Sequence, residues 1–450
     1  MNETKLNEIR VGGELRAYVR SFGCQLNISD GEKIKGLLKN MGCTLTEDES
    51  AADIIILNTC AGRESAEDRV FGIVGSMKKL KETKPSLVIG ITGCMTSQEH
   101  ICEKIRKSYP YVDIAAGTSD LEVLPELLLD CLREKYSGIG AVSGSGNSAA
   151  SEPVRESSFK ASVPIMYGCN NFCTYCIVPY VRGRERSRKA EDIIAETREL
   201  VRRGYKEIML LGQNVNSYGN DFDGENQFPD LLRRINEIEG DFVIRFMSSH
   251  PKDVSPELIE VLLSCEKVAK HLHLPLQSGS SEVLRRMNRR YTAEKYMETV
   301  ELIRSRDPDF SLTTDLIVGF PGETDEEFRE TLDIIKKVRF DNIYSFIYSK
   351  RSGTKAAEMP DPITDEEKGC RMRELLELQR EISAEHYKRF LGRKMRVLVD
   401  GVSKKKEGYL TGKSNEFIIA EFEGDRSLIG KFADIEVTQT MNWAVRGKLI

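Results

Sequence analysis

The chain has 450 residues, of which 40% are hydrophobic and 30% are charged, with a net charge of −5 at pH 7. This length allows about three domains with sizeable cores, and the absence of any run of eighteen apolar residues excludes an ordinary transmembrane helix. The N-terminus lacks the layout of a signal peptide, so we expect a cytoplasmic protein that does not contact a membrane. Because the overall charge is slightly negative, a nucleic-acid partner would have to meet local basic patches.

The first part of the chain alternates strand and helix. Short apolar runs predict buried strands, and stretches with helical spacing of apolar residues predict helices between them. This alternation favours a parallel sheet with helices on its faces, in an α/β domain over residues 1–145. The predicted strands are 16–20, 53–58 and 86–91, and the predicted helices are 29–40 and 64–80.

Three cysteines follow these predicted strands: Cys24, Cys60 and Cys94. The carboxyl ends of parallel strands share one edge of a sheet, where ligands bind, so the three thiols are expected to converge. Gly23 and Gly93 precede two of them and allow tight turns with room for a bulky cofactor. Three thiolates can hold a 4Fe–4S cluster with one iron open, and the alternative is three small buried core residues. The other cysteines are expected to be ordinary core or surface residues: Cys43, Cys102, Cys131, Cys265 and Cys370.

Residues 137–160 are rich in glycine and serine and show no periodicity, and we place a linker at 146–160. This composition is typical of a flexible linker. It separates the first domain from a longer segment with a second group of cysteines.

Residues 161–391 contain six strand–helix units, which predict an incomplete (βα)6 version of the TIM barrel. Thr364 and Glu367 form a capping-box pattern that opens a long closing helix. In barrels of this kind, site residues lie at the carboxyl ends of the strands. The predicted strands are 162–166, 207–211, 242–247, 271–274, 311–318 and 342–348.

Cys169, Cys173 and Cys176 form a CxxxCxxC triplet directly after the first strand of this barrel. Cysteine thiolates hold iron–sulfur clusters, and no fourth cysteine follows nearby, so one iron is left open for a small molecule. S-adenosylmethionine (SAM) is usually paired with this spacing, and one electron cleaves it to a 5′-deoxyadenosyl radical. The alternative is a structural zinc site, which would require a fourth ligand. The triplet resembles the signature of the radical-SAM superfamily.

Residues 392–450 read as short alternating strands separated by glycine turns. This pattern predicts a small all-β barrel of about five strands. Such barrels often bind nucleic acid, although the fold alone does not establish that function.

Taken together, these motifs resemble the radical-SAM methylthiotransferase family over nearly the whole chain, with a TRAM domain as the C-terminal barrel. The sequence Cys24–Asn27 (Cys-Gln-Leu-Asn) resembles the branch that acts on isopentenylated adenosine in tRNA. The branches acting on a ribosomal-protein aspartate or on threonylcarbamoyladenosine more often read Cys-Pro-Lys-Asn or Cys-Lys-Val-Asn. The matching motifs are 23–27, 58–60, 93–94, 168–180, 182–184, 210–216, 248–251, 274–279 and 315–324.

The resemblance implies that a methylthio group is transferred to carbon 2 of isopentenylated adenosine beside the tRNA anticodon. Two [4Fe–4S] clusters and two SAM molecules are implied: the CxxxCxxC cluster cleaves SAM, and an auxiliary cluster on Cys24, Cys60 and Cys94 carries the sulfur. No catalytic residue beyond the cluster ligands is expected, since no acid–base constellation is evident. Residues implied to contact SAM are Gln213, Ser249 and Gln277, for which the alternative role is polar capping of strand ends.

Three basic groups are expected to meet the tRNA anticodon stem-loop: residues 182–189, 285–290 and 404–406. Arginine suits phosphate through its forked donors, whereas the alternative for each run is a solvated face. The single-stranded loop can present splayed bases, and chemistry on a base requires its removal from the stack. We also expect a monomer that takes electrons from a flavodoxin- or ferredoxin-like donor.

Two other classes of protein fit parts of the pattern. A two-cluster electron-transfer protein would not cleave SAM, and a zinc-stabilised RNA-binding protein would be colourless with zinc as its metal.

Overall fold

The computed structural model describes residues 15–62, 64–135, 152–222 and 224–450. Its contacts divide the chain into two units, the first comprising Met1–Glu156 with Ile177–Arg184 and the second comprising Ser157–Cys176 with Glu185–Ile450. Residues 146–151 of the predicted linker, 146–160, lie outside the described residues. Within the described ranges, no helix has the length and apolar character needed to span a bilayer.

The first unit is built on a parallel five-stranded sheet with the order β2-β1-β3-β4-β5, which confirms the predicted α/β architecture. Alternate residues of β3 pack on opposite faces, with Ile54 and Ile56 in one apolar cluster and Ile55 and Leu57 in the other. The strands are β1 (Arg16–Ser21), β2 (Thr44–Leu45), β3 (Ile54–Thr59), β4 (Val88–Gly93) and β5 (Ile114–Ala116). The helices are α1 (Gln25–Asn40), α2 (Glu64–Thr83), α3 (Glu99–Ser108), α4 (Leu124–Lys135) and α5 (Val178–Arg182).

The second unit begins with six parallel strands in two groups, ordered β10-β9-β6 and β11-β12-β13. An isolated parallel bridge between Ile244 and Val268 lies between the two groups. The predicted incomplete barrel is therefore confirmed. Its strands are β6 (Lys160–Pro164), β9 (Glu207–Leu211), β10 (Val243–Phe246), β11 (His271–His273), β12 (Ser311–Val318) and β13 (Asn342–Ile347), while β7 (Met166–Tyr167) and β8 (Arg186–Ser187) form a small antiparallel pair.

Helices cover the outer face of this barrel, and several begin at strong capping residues. The predicted capping box is confirmed: Glu367 N donates to Thr364 Oγ1 at 3.2 Å, and Thr364 N donates to Glu367 Oε2 at 2.8 Å. Two satisfied donors at a helix start stabilise that end. The helices are α6 (Ala190–Arg202), α7 (Phe228–Asn236), α8 (Pro256–Ser264), α9 (Ser281–Arg286), α10 (Ala293–Arg306), α11 (Asp325–Val338) and α12 (Asp365–His386).

The second unit ends in a closed five-stranded barrel with the order β14-β15-β16-β18-β17, as predicted. A buried ion pair stands where this barrel meets the parallel strands: Arg245 donates to Glu207 at 2.8 Å and to the Ser414 carbonyl at 2.7 Å. Because the Arg245 guanidinium bonds to a residue of the parallel strands and to a residue of the small barrel, the contact fixes the small barrel to the larger one. The strands are β14 (Lys394–Val402), β15 (Tyr409–Ser414), β16 (Ile419–Glu423), β17 (Phe432–Thr440) and β18 (Ala444–Leu449).

Candidate functional site

Cys24, Cys60 and Cys94 stand at the carboxyl edge of the first unit's sheet. Cys24 follows β1 and caps the start of α1, while Cys60 and Cys94 directly follow β3 and β4. These strands are neighbours in the sheet, so the three cysteines share one edge. Asn27 Oδ1 lies 3.6 Å from Cys24 Sγ and 3.8 Å from Cys94 Sγ. The structure thus brings together the residues that the strand-end pattern predicts.

Two glycines make this convergence sterically possible. Gly23 has a φ of +100°, and a Cβ there would lie 2.3 Å from Cys60 Cβ and 2.7 Å from Cys60 Sγ. Gly93 has a φ of +104°, and its Cβ would lie 2.3 Å from the Thr59 carbonyl oxygen. Only glycine combines this left-handed backbone with such a close approach.

Asn27 holds the turn before Cys24 against the end of β3. Its Nδ2 donates to the Phe22 carbonyl at 3.0 Å and to the Thr59 carbonyl at 2.7 Å. Asn58 Nδ2 in turn donates to the Asn27 carbonyl at 2.6 Å. These bonds satisfy buried backbone acceptors and fix the separation between the strand ends that carry the cysteines.

Arg182, on α5, contacts the same group of residues. Its Nε donates to Cys94 Sγ at 3.1 Å, and its Nη2 donates to Asn27 Oδ1 at 2.6 Å and to Asp30 Oδ2 at 2.9 Å. The Arg182 and Asp30 side chains are 5% and 4% exposed. The first set of cysteines therefore has a buried cation at its edge.

Burial raises the pKa of the Cys60 thiol and raises the pKa of Cys94 to about 11, while the Arg182 charge opposes the shift at Cys94. Negative charge on the neighbouring cysteines adds to the rise in pKa at Cys60 and Cys94, because a nearby thiolate disfavours ionisation of the next thiol. Only the thiolate binds metal, and metal binding displaces the thiol protons. The Cys60 and Cys94 thiols would therefore release their protons when a metal cluster binds.

The second set of cysteines lies in a single loop between β7 and α5. Cys169 and Cys173 are buried, and Cys176 N donates to the Cys173 carbonyl at 3.0 Å. Phe172 adopts a left-handed φ of +47°, and Asn288 Nδ2 donates to its carbonyl at 2.9 Å. The loop is thus held in a conformation that a free chain would rarely adopt.

A second buried arginine, Arg289, stands beside this loop. Its Nη1 lies 3.6 Å from Cys173 Sγ, and its Nη2 donates to the Pro275 carbonyl at 2.8 Å. Burial raises the pKa of Cys169 to about 11, and a hydrogen bond from the backbone of Asn171 opposes that shift. The donor set in this loop is soft sulfur, which is the chemistry that iron–sulfur clusters require.

Within the described part of the chain, no three His, Cys, Asp or Glu side chains lie close enough to share one metal ion. In a 4Fe–4S cube each thiolate binds a separate iron, so its sulfur ligands are spaced more widely than those of a single ion.

The three predicted SAM contacts lie at carboxyl ends of strands in the second unit. Gln213 follows β9, and its Oε1 is buried with no hydrogen-bond partner among the described residues. Ser249 Oγ donates to the His273 carbonyl, and Gln277, with a φ of +71°, forms a backbone bridge to Leu316. Ser249 therefore donates its hydroxyl proton to cap a strand end, the alternative role, but keeps the acceptor lone pairs of Oγ, while Gln213 retains an unused acceptor.

Other buried polar atoms at these strand ends also lack a hydrogen-bond partner within the described ranges, namely Asn171 Oδ1, Asn214 Oδ1 and His250 Nε2. Buried polar atoms are nearly always hydrogen-bonded. Unsatisfied atoms at the strand ends, with Asn171 inside the cysteine loop, therefore fit a polar ligand such as SAM.

Three arginines of the predicted RNA-binding groups contact other protein residues instead. The prediction is wrong for Arg182 and Arg289, because only 9% and 5% of these whole residues, backbone included, are exposed. Arg286 pairs with Glu327 through two bonds of 2.8 Å. The lysines at 404–406 are exposed, so they keep the predicted role available.

Family models match three segments of the chain: the radical SAM superfamily at residues 163–335, the uncharacterized protein family UPF0004 at 16–117 and the TRAM domain at 388–450. The tRNA-2-methylthio-N(6)-dimethylallyladenosine synthase of Thermoanaerobacter sp. (strain X514) is 49% identical over 99% of this chain and 95% of its own length. The synthase of Acetivibrio thermocellus is 48% identical over 98% and 92%. The chain belongs to this family of synthases.

Among solved structures, the radical S-adenosylmethionine methyltransferase TsrM from Kitasatospora setae is similar, with a TM-score of 0.54 and 13% identity over 77% of each chain. That similarity supports the fold. Membership of the radical-SAM superfamily gives this enzyme SAM and a [4Fe–4S] cluster as its cofactors.

Proposed function

We propose that this enzyme transfers a methylthio group to carbon 2 of isopentenylated adenosine next to the anticodon of tRNA, using two molecules of SAM. The observation that carries the proposal is the 49% identity over 99% of the chain to a synthase named for that product. Carbon 2 of adenine has neither an acidic proton nor a leaving group, so polar substitution at this carbon is difficult. A radical route avoids both obstacles, which agrees with the radical-SAM fold.

Cys169, Cys173 and Cys176 would hold the radical-SAM cluster in this proposal. When bound, that cluster supplies the electron for cleavage of SAM. The hydrogen bond from Asn288 to Phe172 fixes the loop, and Arg289 places positive charge beside Cys173. The Gln213 acceptor, together with Ser249 and Gln277, would orient SAM at the strand ends.

Cys24, Cys60 and Cys94 would hold a second, auxiliary [4Fe–4S] cluster. Three protein thiolates leave one iron free to hold the sulfur that is transferred. Gly23 and Gly93 provide the space, because any side chain at either position would overlap Cys60 or Thr59. We assign no catalytic residue beyond the cluster ligands.

The tRNA would be held partly by the TRAM barrel. Lys404, Lys405 and Lys406 are exposed on the connection between β14 and β15, where they can meet phosphate oxygens. The target base must leave its stack to be modified. We further propose a cytoplasmic monomer that receives electrons from a flavodoxin- or ferredoxin-like protein.

The test is incubation of the anaerobically reconstituted enzyme with SAM, a reductant and tRNA that carries isopentenyladenosine. Mass spectrometry should find the 2-methylthio nucleoside, and 5′-deoxyadenosine should appear with it. The same tRNA without the isopentenyl group is the matched control. In a parallel incubation with ribosomal protein, a methylthiolated aspartate together with no 2-methylthio nucleoside from tRNA would overturn the choice of substrate.

The two-cluster assignment is tested by counting iron and sulfide in the anaerobic protein. Cys24→Ala should lose about half of the iron, since two equal cubes are proposed. Cys43→Ala is the control, because Cys43 is buried in the core of the first unit, and it should retain all of the iron. Equal iron in Cys24→Ala and the wild type would contradict an auxiliary cluster.

A further inference from the structure

We infer that Arg182 is a positioning residue that raises the reduction potential of the auxiliary cluster through its contact with Cys94. The inference rests on the proposed function, because it requires a cluster on Cys24, Cys60 and Cys94. It concerns a residue that the sequence pattern assigns to RNA and that the structure places among the cysteines.

The geometry fixes Arg182 from two directions. Nε donates to Cys94 Sγ at 3.1 Å, while Nη2 donates to Asn27 Oδ1 and Asp30 Oδ2 at 2.6 and 2.9 Å. Asn27 and Asp30 lie one turn apart at the start of α1, so they present both acceptors to one guanidinium. The planar guanidinium of arginine can donate to the thiol and to the two oxygens at the same time, and the single ammonium group of lysine would not reproduce this geometry.

The electrostatic consequence follows from the charge change on reduction. Hydrogen bonds to the sulfurs, net charge and solvent exposure set the potential of an iron–sulfur cluster. Reduction adds one negative charge, and the N–H group of a permanently charged guanidinium stabilises that charge. Because the Arg182 side chain is 5% exposed, solvent screens this interaction much less than it would screen one at the surface.

Asp30 acts in the opposite direction. Its carboxylate compensates the Arg182 charge at 2.9 Å and is itself only 4% exposed. A carboxylate near the cluster disfavours the additional negative charge. Removing Asp30 should therefore raise the potential, whereas removing Arg182 should lower it.

The experiment uses the full-length chain with Cys169, Cys173 and Cys176 all changed to alanine, so that the auxiliary cluster alone contributes to the electron paramagnetic resonance signal. Redox titrations compare this background with the added substitutions Arg182→Gln, Asp30→Asn and both together. We expect Arg182→Gln to lower the midpoint potential and Asp30→Asn to raise it, with the double variant between them. Each single shift should reach at least a tenfold change in the oxidised-to-reduced ratio, or about 59 mV for one electron.

Arg155→Gln provides a matched control, since Arg155 forms a buried pair with Glu32, also on α1, with 7% and 8% exposure. It should leave the midpoint unchanged. If no cluster assembles in the Arg182→Gln variant, the Asp30→Asn variant still tests the inference. It retains Arg182, and its midpoint potential must be higher than that of the background protein.

The possible outcomes distinguish failure of the auxiliary-cluster proposal from failure of the proposed role of Arg182. Absence of any cluster signal in the background protein would overturn the auxiliary cluster and, with it, this part of the proposed function. A normal cluster signal whose midpoint potential is unchanged by both substitutions, or shifts in the same direction for both, would overturn only the role of Arg182.

Discussion

The two sets of cysteines are positioned by opposite means. The first draws one residue from each of three neighbouring strand ends, so its geometry depends on the whole sheet and on the space left by Gly23 and Gly93. The second comes from one short loop, held by Asn288 and by a left-handed Phe172. The geometry of the loop site depends on local contacts, whereas the geometry of the sheet-edge site depends on correct folding of the entire unit.

Each set also has one buried arginine near a thiol, but the local charges differ. Arg182 is compensated by Asp30 at 2.9 Å. Arg289 contacts the Pro275 carbonyl and the Tyr291 hydroxyl, and no carboxylate of the described residues forms an ion pair with it. Among the described residues, the second set is thus accompanied by a buried cation that has no carboxylate partner.

The largest effect should separate the roles of the two sets. Cys173→Ala should abolish 5′-deoxyadenosine formation and the methylthio product, because it removes a ligand from the cluster that delivers the electron. Cys94→Ala should still form 5′-deoxyadenosine but yield no methylthio nucleoside. Chromatography of both products measures this, and formation of 5′-deoxyadenosine by Cys173→Ala would show that the roles are assigned wrongly.

The next prediction concerns the dependence of the first set on backbone space. Gly23→Ala places a Cβ 2.3 Å from Cys60 Cβ, and neither atom can rotate away, so about half of the iron should be lost. Gly204→Ala is the control, since Gly204 has a similar φ of +93° but open space around it. It should cost about 1–2 kcal/mol of unfolding free energy and retain all of the iron. Full iron in Gly23→Ala would refute this steric account.

A pH effect is expected in the second unit at Glu323. Burial raises the pKa of Glu323 to about 7, against hydrogen bonds from Gly319 N and Arg371 that lower it. An acid with a raised pKa binds its proton more tightly when folded. Its stabilising contribution is therefore complete below about pH 4.5 and is lost as the pH rises through 7.

The measurement is the unfolding free energy of the wild type minus that of Glu323→Gln, taken from pH 5 to pH 8. This difference should fall by an amount approaching 3 kcal/mol, from roughly 1.4 kcal/mol per pKa unit. A difference that rises with pH would contradict the assignment.

The smallest effect concerns the exposed lysines, in contrast to the two buried arginines. Changing Lys404, Lys405 and Lys406 to alanine should weaken tRNA binding and reduce the slope of log affinity against log salt by roughly 2, at about 0.7 per phosphate contact. Lys78→Ala with Lys79→Ala, exposed on α2, should leave the slope unchanged. An unchanged slope in the triple variant would exclude these lysines from the RNA interface.

Much of this arrangement can be predicted from sequence because it follows from periodicity. Apolar runs mark the parallel strands, and strand ends place Cys24, Cys60 and Cys94 at one edge. The very short strands β2 and β5, at 44–45 and 114–116, give no periodic signal and are not predicted.

The arginine contacts could not be predicted because they depend on tertiary burial. A run of arginines after a cysteine loop has the same local pattern whether its members face RNA or, like Arg182, a thiol. One signal was available: Asn27 and Asp30 stand three residues apart directly after Cys24, which places an amide and a carboxylate on the same helix face.

The first unit is formed by two separate stretches of the chain, which matters for expressing that unit by itself. Residues 177–184 belong to the first unit although they follow the CxxxCxxC loop, so no single contiguous fragment reproduces that unit. A truncation product that stops at Glu156 would contain Cys24, Cys60 and Cys94 but lack Arg182, so Asp30 would lose its ion-pair partner. Attempts to express the amino-terminal portion by itself should therefore include a grafted copy of α5.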